Sequence, residues 1–243
     1  MKSKLNYKEF GEHAVLVEWP SEIKEEILSD ILSFEEKVNT HFKDDNLELI
    51  PSYNTLVIVD NAKKLKSSKL IEKLSSFHFD DQKRSGLTGV LWELPVCYDE
   101  SFALDMSLLC QEKQLTPDEI ISLHSAAIYT VYSIGFLPGF MYLGGLPEVL
   151  ITKRRAEPRL KVPAGAVGIG GNQTGIYPQQ SPGGWNLIGN SPVKLFDISK
   201  DSPCFVSVGD QIKFYPISKP EYEILEIQVQ TGLFQPVKKE RND

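Results

Sequence analysis

The chain has 243 residues, enough for one large domain or two modest ones, and its 41% hydrophobic and 24% charged content is that of an ordinary globular protein. A net charge of −7 argues against general nucleic-acid binding, which leaves a basic excess. No apolar run follows Lys2 and Lys4, which argues against a secretory signal. Three widely spaced cysteines without a CxxC pair (Cys97, Cys110, Cys204) fit reduced cytoplasmic thiols better than a disulfide framework or a zinc site.

Residues 14–19 (AVLVEW) read as a strand after a turn at Gly11. Ser21 is placed to cap a helix reaching Phe42, with Ile23, Ile27, Ile31, Phe34 and Val38 at helical spacing. Residues 47–50 and 55–59 flank Pro51-Ser52-Tyr53-Asn54 and predict a hairpin. A second amphipathic helix is expected over 63–77. Together these elements make a small α/β sandwich, one face of an antiparallel sheet covered by helices. The polar stretch 79–89 (FDDQKRSGLTG) is apolar-poor and marks a linker, dividing the chain into domains 1–84 and 85–243.

Beyond the linker the pattern changes. Residues 90–98 predict a strand, and 103–114 and 116–127 predict helices. Thr116-Pro117-Asp118-Glu119 opens the second helix, with Thr116 as N-cap and Glu119 as its reciprocal capping-box partner. Residues 120–147 carry no formal charge, which tests for a membrane span. Gly135, Pro138, Gly139, Gly144 and Gly145 interrupt the run, so a short helix leading into a strand is expected and no membrane segment. From residue 128 onward strand and turn dominate, with late strands expected over 193–196, 204–208, 211–215 and 222–229. Many short strands punctuated by Gly and Pro predict a closed barrel, giving an α+β chain.

The most informative stretch is 162–193, thirty-two residues without a charge and with eight glycines and four prolines. Five cations stand just upstream: Lys153, Arg154, Arg155, Arg159 and Lys161. Such composition cannot be a helix, and its interleaved Val, Ile, Tyr and Trp do not belong to a flexible linker. It reads as short strands and tight turns forming the wall of a pocket for something small and anionic. Arg159 and Lys161 would meet a carboxylate, Gln173, Tyr177, Ser181 and Asn186 offer directional hydrogen bonds, and Trp185 offers a flat apolar wall. The other reading makes Trp185 and Tyr177 barrel core and the cations a solvated strip. Residue types leave both open.

No familiar catalytic motif occurs. Gly168-Ile169-Gly170 begins a dinucleotide fingerprint, but the third glycine position holds Gln173. Walker-type, G-x-S-x-G and H-E-x-x-H patterns are missing. His13, His41, His78 and His124 lie far apart in sequence, and Glu148, Glu157 and Asp197 flank the uncharged stretch as lone carboxylates. No catalytic residue and no metal site is assigned. Phe136, Leu137, Pro138, Phe140, Met141 and Tyr142 surround a Pro138-Gly139 turn, which predicts either a protein-docking patch or a plug for the barrel end.

The runs GFLPGFMYLGGLP (135–147), PRLKVPAGAVGIGGNQTGIYPQQSPGGWNLIG (158–189) and PVKLFD (192–197) resemble signature blocks of the 5-oxoprolinase B-subunit family, also called allophanate hydrolase subunit 1. FGEHAVLVEW and PSYNTLVIV extend the resemblance to the N-terminal half. It implies a small α/β domain followed by a cyclophilin-like β-barrel. It also implies a subunit inactive alone, working with subunits A and C to open 5-oxo-L-proline to L-glutamate, with ATP bound by the assembled complex. Through one type of member, the resemblance also implies a sensor histidine kinase as partner and inhibition of its autophosphorylation in sporulation control. A purely inhibitory role and an allophanate or urea-derivative amidohydrolase subunit are the alternatives. Where the family often shows I-G-R-T-P, this chain has Ile188-Gly189-Asn190-Ser191-Pro192, which moves weight for carboxylate binding onto Arg159 and Lys161.

Overall fold

Alternating apolar residues make the two central strands of the N-terminal sheet, and helical spacing makes the unit's helices. The computed structural model describes residues 5–76, 87 and 89–241 and divides into two units, Met1–Thr88 and Gly89–Asp243. The expected linker over 79–89 lies almost wholly outside the described residues.

The first unit contains β1 (Asn6–Glu9), β2 (Ala14–Glu18), α1 (Glu25–His41), β3 (Leu47–Ser52), β4 (Thr55–Asp60) and α2 (Ser67–Ser76). Its antiparallel sheet runs β1-β2-β4-β3. Val15 and Val17 of β2 and Leu56 and Ile58 of β4 pack with Ile31, Phe34 and Val38 of α1 and Leu70 and Leu74 of α2. Each such burial stabilises by about 1.5–3 kcal/mol, so one covered face suffices to hold the sandwich. The first helix begins later than a Ser21 cap implies. Lys24 is still extended, and Glu25 and Glu26 form a first turn that favours the positive end of the helix dipole. The polar strand β1 carries no hydrophobic alternation, so no pattern in the sequence announces it.

The second unit contains β5 (Val90–Cys97), α3 (Met106–Lys113), α4 (Pro117–Ala126), β6 (Ile128–Ile134), β7 (Met141–Gly144), β8 (Arg159–Val162), β9 (Ala166–Gly170), β10 (Gln173–Ile176), β11 (Ser181–Gly183), β12 (Asn186–Asn190), β13 (Gln211–Ile217), α5 (Lys219–Gln230) and β14 (Val237–Glu240). Seven strands pair in the order β12-β9-β10-β7-β6-β13-β5, and the Asn190–Cys97 pairing of β12 with β5 closes them into a barrel. β5 and β13 are parallel, and β14 adds to β5 outside the closure. Leu94, Val96, Tyr129, Val131, Met141, Leu143, Val167, Ile169, Ile176, Ile188, Ile212 and Phe214 fill the interior. β8 and β11 form a separate two-stranded pair.

The Thr116–Glu119 capping box forms at the start of α4. Three of the expected late strands do not form. Residues 222–229 lie inside α5, because Ser218 and Glu221 build a second capping box with a proline in the first turn, and that local signal outweighs the apolar run. Residues 193–196 and 204–208 form no strand; a single Phe196–Cys204 bridge joins them.

Candidate functional site

The glycines of the uncharged stretch seat a tryptophan. In β9, Val167 and Ile169 point into the barrel, so Gly168 and Gly170 present bare backbone on the opposite side. Gly175 of β10 does the same beside them. A methyl group at Gly170 would lie 2.4 Å from the Trp185 indole, and one at Gly175 would lie 3.1 Å from it. Trp185 is only 4% exposed and packs with Phe140, Val162, Ala166, Tyr177 and Leu187 in a core separate from the barrel interior. Gly183 gives way to Tyr177 in the same manner: a methyl there would fall 2.3 Å from the tyrosine hydroxyl. The flat wall expected of Trp185 is turned inward, and Tyr177 lies beside it.

The basic strip is organised by a carboxylate that sequence reasoning missed. Asp105, just before α3, is buried, with its side chain 4% exposed. Arg159 grips it with two bonds, Nη1 to Oδ2 at 2.9 Å and Nη2 to Oδ1 at 2.8 Å, and Arg155 adds Nη1 to Oδ1 at 2.8 Å. The Leu187 N–H donates to Oδ2 at 2.7 Å, and the Asp105 N–H donates back to the Leu187 carbonyl at 2.9 Å. This forked geometry fixes the strip against β12. Arg159 therefore has its guanidinium engaged by Asp105, with 21% of the side chain still exposed. Two guanidinium groups against one carboxylate leave a single net positive charge.

Lys153, Arg154 and Lys161 carry the exposed positive charge. The Arg154 guanidinium lies 5.9 Å from the Trp185 ring centroid, within reach of its π face. Burial pushes the Tyr177 hydroxyl above the ordinary tyrosine range, against smaller opposing pulls from the Trp185 backbone N–H and Arg154. Asn186 is buried and donates to the carbonyls of Lys153 at 2.9 Å and Ile169 at 3.2 Å, tying the strip's backbone to β9. Ser181 is buried and donates to the Pro182 carbonyl at 3.1 Å. Gln173 is buried on the same side of β10 as Gly175. Arg159, Tyr177, Ser181, Trp185 and Asn186 thus meet in one region, but mostly as its framework. Lys161 stands on its exposed edge.

The expected docking loop divides in two. Phe140 is buried and stacks edge-on to Trp185 and Tyr177, Met141 enters the barrel core, and Leu137 and Tyr142 pack partly against the Trp185 cluster. Phe136 and Pro138 face outward.

Inside the barrel, His124 is fully buried and stacks on Phe214 at 4.9 Å. Thr174 donates its hydroxyl proton to the Gly168 carbonyl at 3.0 Å, so it accepts from His124 Nε2–H at 2.9 Å. Nδ1 is left to accept the Tyr98 hydroxyl at 2.7 Å. Tyr129 donates to the His124 carbonyl at 2.7 Å. Burial without a counter-charge lowers the imidazole pKa to about 3, keeping it neutral. Among the described residues no group of three or more His, Cys, Asp and Glu is placed to hold a metal ion. No helix among them is long and apolar enough to cross a membrane.

Residues 5–206 match the family of the carboxyltransferase domain, subdomain C and D. A 5-oxoprolinase B subunit of Haemophilus influenzae is 50% identical over 145 residues, 60% of this chain and 68% of that protein. The chain belongs to the 5-oxoprolinase B-subunit family. The corresponding 5-oxoprolinase protein of Bacillus subtilis (strain 168) is 31% identical over 234 residues, covering 91% of this chain and 97% of its own length. The crystal structure of TTHA0988 superposes on 85% of this chain with a TM-score of 0.72 and 29% identity, and this chain spans 40% of that one. Asn190, at the barrel-closing end of β12, is buried. It accepts the Tyr222 hydroxyl at 2.9 Å and donates to the Ala164 carbonyl at 3.0 Å, fastening α5 to the barrel.

Proposed function

We propose that this chain is the B subunit of an ATP-dependent 5-oxoprolinase, acting with subunits A and C to open 5-oxo-L-proline to L-glutamate. The similarity that runs almost end to end with the Bacillus subtilis protein carries this reading. A lactam is resonance-stabilised, so its hydrolysis near neutrality gains from activation of the carbonyl by ATP. The chain's own side chains suit recognition better than bond breaking. His124 has both ring nitrogens held inside the barrel, and Asp105 is saturated by two arginines and a backbone N–H. The exposed cations Lys153, Arg154 and Lys161 beside the Trp185 core are the groups suited to a substrate carboxylate, with Arg159 holding the strip in place. Nucleotide binding and the chemical step fall to surfaces completed by the other subunits.

The test is reconstitution with subunits A and C of the same source. The expected result is ATP-dependent release of glutamate from 5-oxoproline by the three together, and none by this chain alone. Undiminished activity when this chain is omitted, or capture of a sensor histidine kinase in place of subunits A and C, would replace this reading.

A further inference from the structure

The backbone of the basic strip is pinned on both sides of Arg154. Thr152 and Gly171 exchange two backbone hydrogen bonds, at 3.1 and 2.7 Å. The Lys153 carbonyl accepts from Asn186 Nδ2 at 2.9 Å, and the Arg155 N–H donates to the Gly184 carbonyl at 2.8 Å. Asp105 then grips the Arg155 side chain. Each of the two peptide groups flanking residue 154 is therefore tied down, while the Arg154 side chain itself is exposed.

The three guanidinium groups of the strip are used differently. Arg155 and Arg159 spend donors on Asp105, whereas no carboxylate pairs with Arg154 among the described residues. Its guanidinium lies instead over the Trp185 ring, 5.9 Å from the centroid. That ring is itself held, because Gly170 and Gly175 seat it and Phe140, Tyr142 and Tyr177 meet it edge-on. A guanidinium drawn to an aromatic face keeps its fork of N–H donors available for a planar acceptor. Lys153 and Lys161 bring charge without that geometry, each a point charge on a flexible four-carbon stem. Fixing backbone and cation before a ligand arrives lowers the ordering cost of binding it.

We propose that Arg154 is the specificity-determining residue of this site, a fork that reads the substrate's carboxylate and discriminates against neutral lactams. The inference deepens the function proposed above and rests on it. In 5-oxoproline the carboxylate and the lactam carbonyl stand on the two ring carbons that flank the nitrogen. A group that grips the carboxylate therefore orients the carbonyl without touching the reacting atoms. Two parallel N–H···O bonds fix a carboxylate in direction as well as position, which an ammonium does not. A carboxamide offers one oxygen and turns N–H donors toward a cation that has donors only, so the same fork rejects it. A phosphate of ATP would present similar acceptors, and the kinetics below separate the two.

The test is steady-state kinetics of the complex reconstituted from this chain and subunits A and C. Arg154→Lys keeps the charge and removes the fork. Its KM for 5-oxoproline is expected to rise about tenfold or more, with kcat and the KM for ATP at their wild-type values. Neutral 5-oxoprolinamide, added as a competitive inhibitor, is expected to have a wild-type inhibition constant about tenfold or more above the KM for the acid. Arg154→Lys is expected to leave that constant unchanged. An unchanged KM for 5-oxoproline overturns the proposal, and a raised KM for ATP alone overturns it by making the anion a phosphate. Equal affinity of wild type for acid and amide sinks it too, and a lowered kcat with a lowered melting temperature makes Arg154 structural. If the wild-type complex releases no glutamate, the proposed function itself falls; if it does and Arg154→Lys keeps the wild-type KM, only the reader falls.

Discussion

Two glycine-rich stretches of the barrel unit have similar composition and opposite uses of it. In 162–193 glycine stands where room is needed: Gly168, Gly170 and Gly175 clear a floor for Trp185, and Gly183 clears space for Tyr177. In 135–147 the backbone turns left-handed at Phe136, and the residue there is not glycine. The first stretch gives up side chains to bury an aromatic, whereas the second accepts strain to expose one. Composition alone therefore does not reveal whether a glycine-rich run encloses a ligand, a core residue or a contact surface. The partner of each glycine does.

Trp185→Ala should have the largest effect on this contrast. Removing the indole from a floor built for it leaves a cavity and should cost about 3–5 kcal/mol in a urea unfolding titration. A loss below about 1 kcal/mol would mean that the floor collapses freely and that the glycines serve something else. Asp105→Asn comes next, because it leaves Arg155 and Arg159 without their counter-charge. Breaking a buried pair costs about 3 kcal/mol or more, and Arg159→Ala should cost less, since Arg155 and the Leu187 N–H still hold the carboxylate. Equal losses for the two variants would show that Asp105 is not the centre of the cluster.

The smallest effect is a pH dependence. His124 titrates near 6.5 when unfolded and near 3 when folded, so its contribution is complete above pH 6.5 and declines as the pH falls toward 3. Between pH 7 and pH 5, where most carboxylates are still ionised, the loss should be about 2 kcal/mol, and His124→Gln should flatten it. The same slope in His124→Gln would assign the acid sensitivity to another group. Tyr98, Tyr129, Thr174 and Phe214 face the imidazole, and none of them carries a charge in this range.

What is legible in the sequence is local. The Thr116–Glu119 capping box, the hairpin around Tyr53 and the alternation in β4 are written in neighbouring residues, and all form. The second capping box at Ser218 is equally legible, but the apolar content of residues 222–229 points toward a strand and competes with it. The Gly168, Gly170 and Gly175 pattern also holds a usable signal: glycine at every second strand position leaves one face bare, which implies something large on it. The Asp105–Arg155–Arg159 cluster has no such signal. Its members are 50 and 54 residues apart, and a lone aspartate before a helix looks like any other. Likewise, nothing local announces that Phe136 is exposed while Phe140, four residues on, is buried.

One neighbouring pair in the barrel joins strands far apart in sequence. β5 lies against β13 in parallel, from Leu91 beside Gln211 to Cys97 beside Ile217, so each pair is separated by 120 residues. During synthesis the small sandwich can complete itself while β5 has already been made and its partner has not. A ribosome adds about 5–20 residues per second, which leaves the VLWELPVC segment without its main neighbour for roughly 6–24 seconds. Over that interval an apolar strand with two open edges is available to any other nascent chain. Long-range pairing of this kind is the slow, aggregation-exposed part of folding, so this segment is the one that most needs shielding until residue 217 has been made.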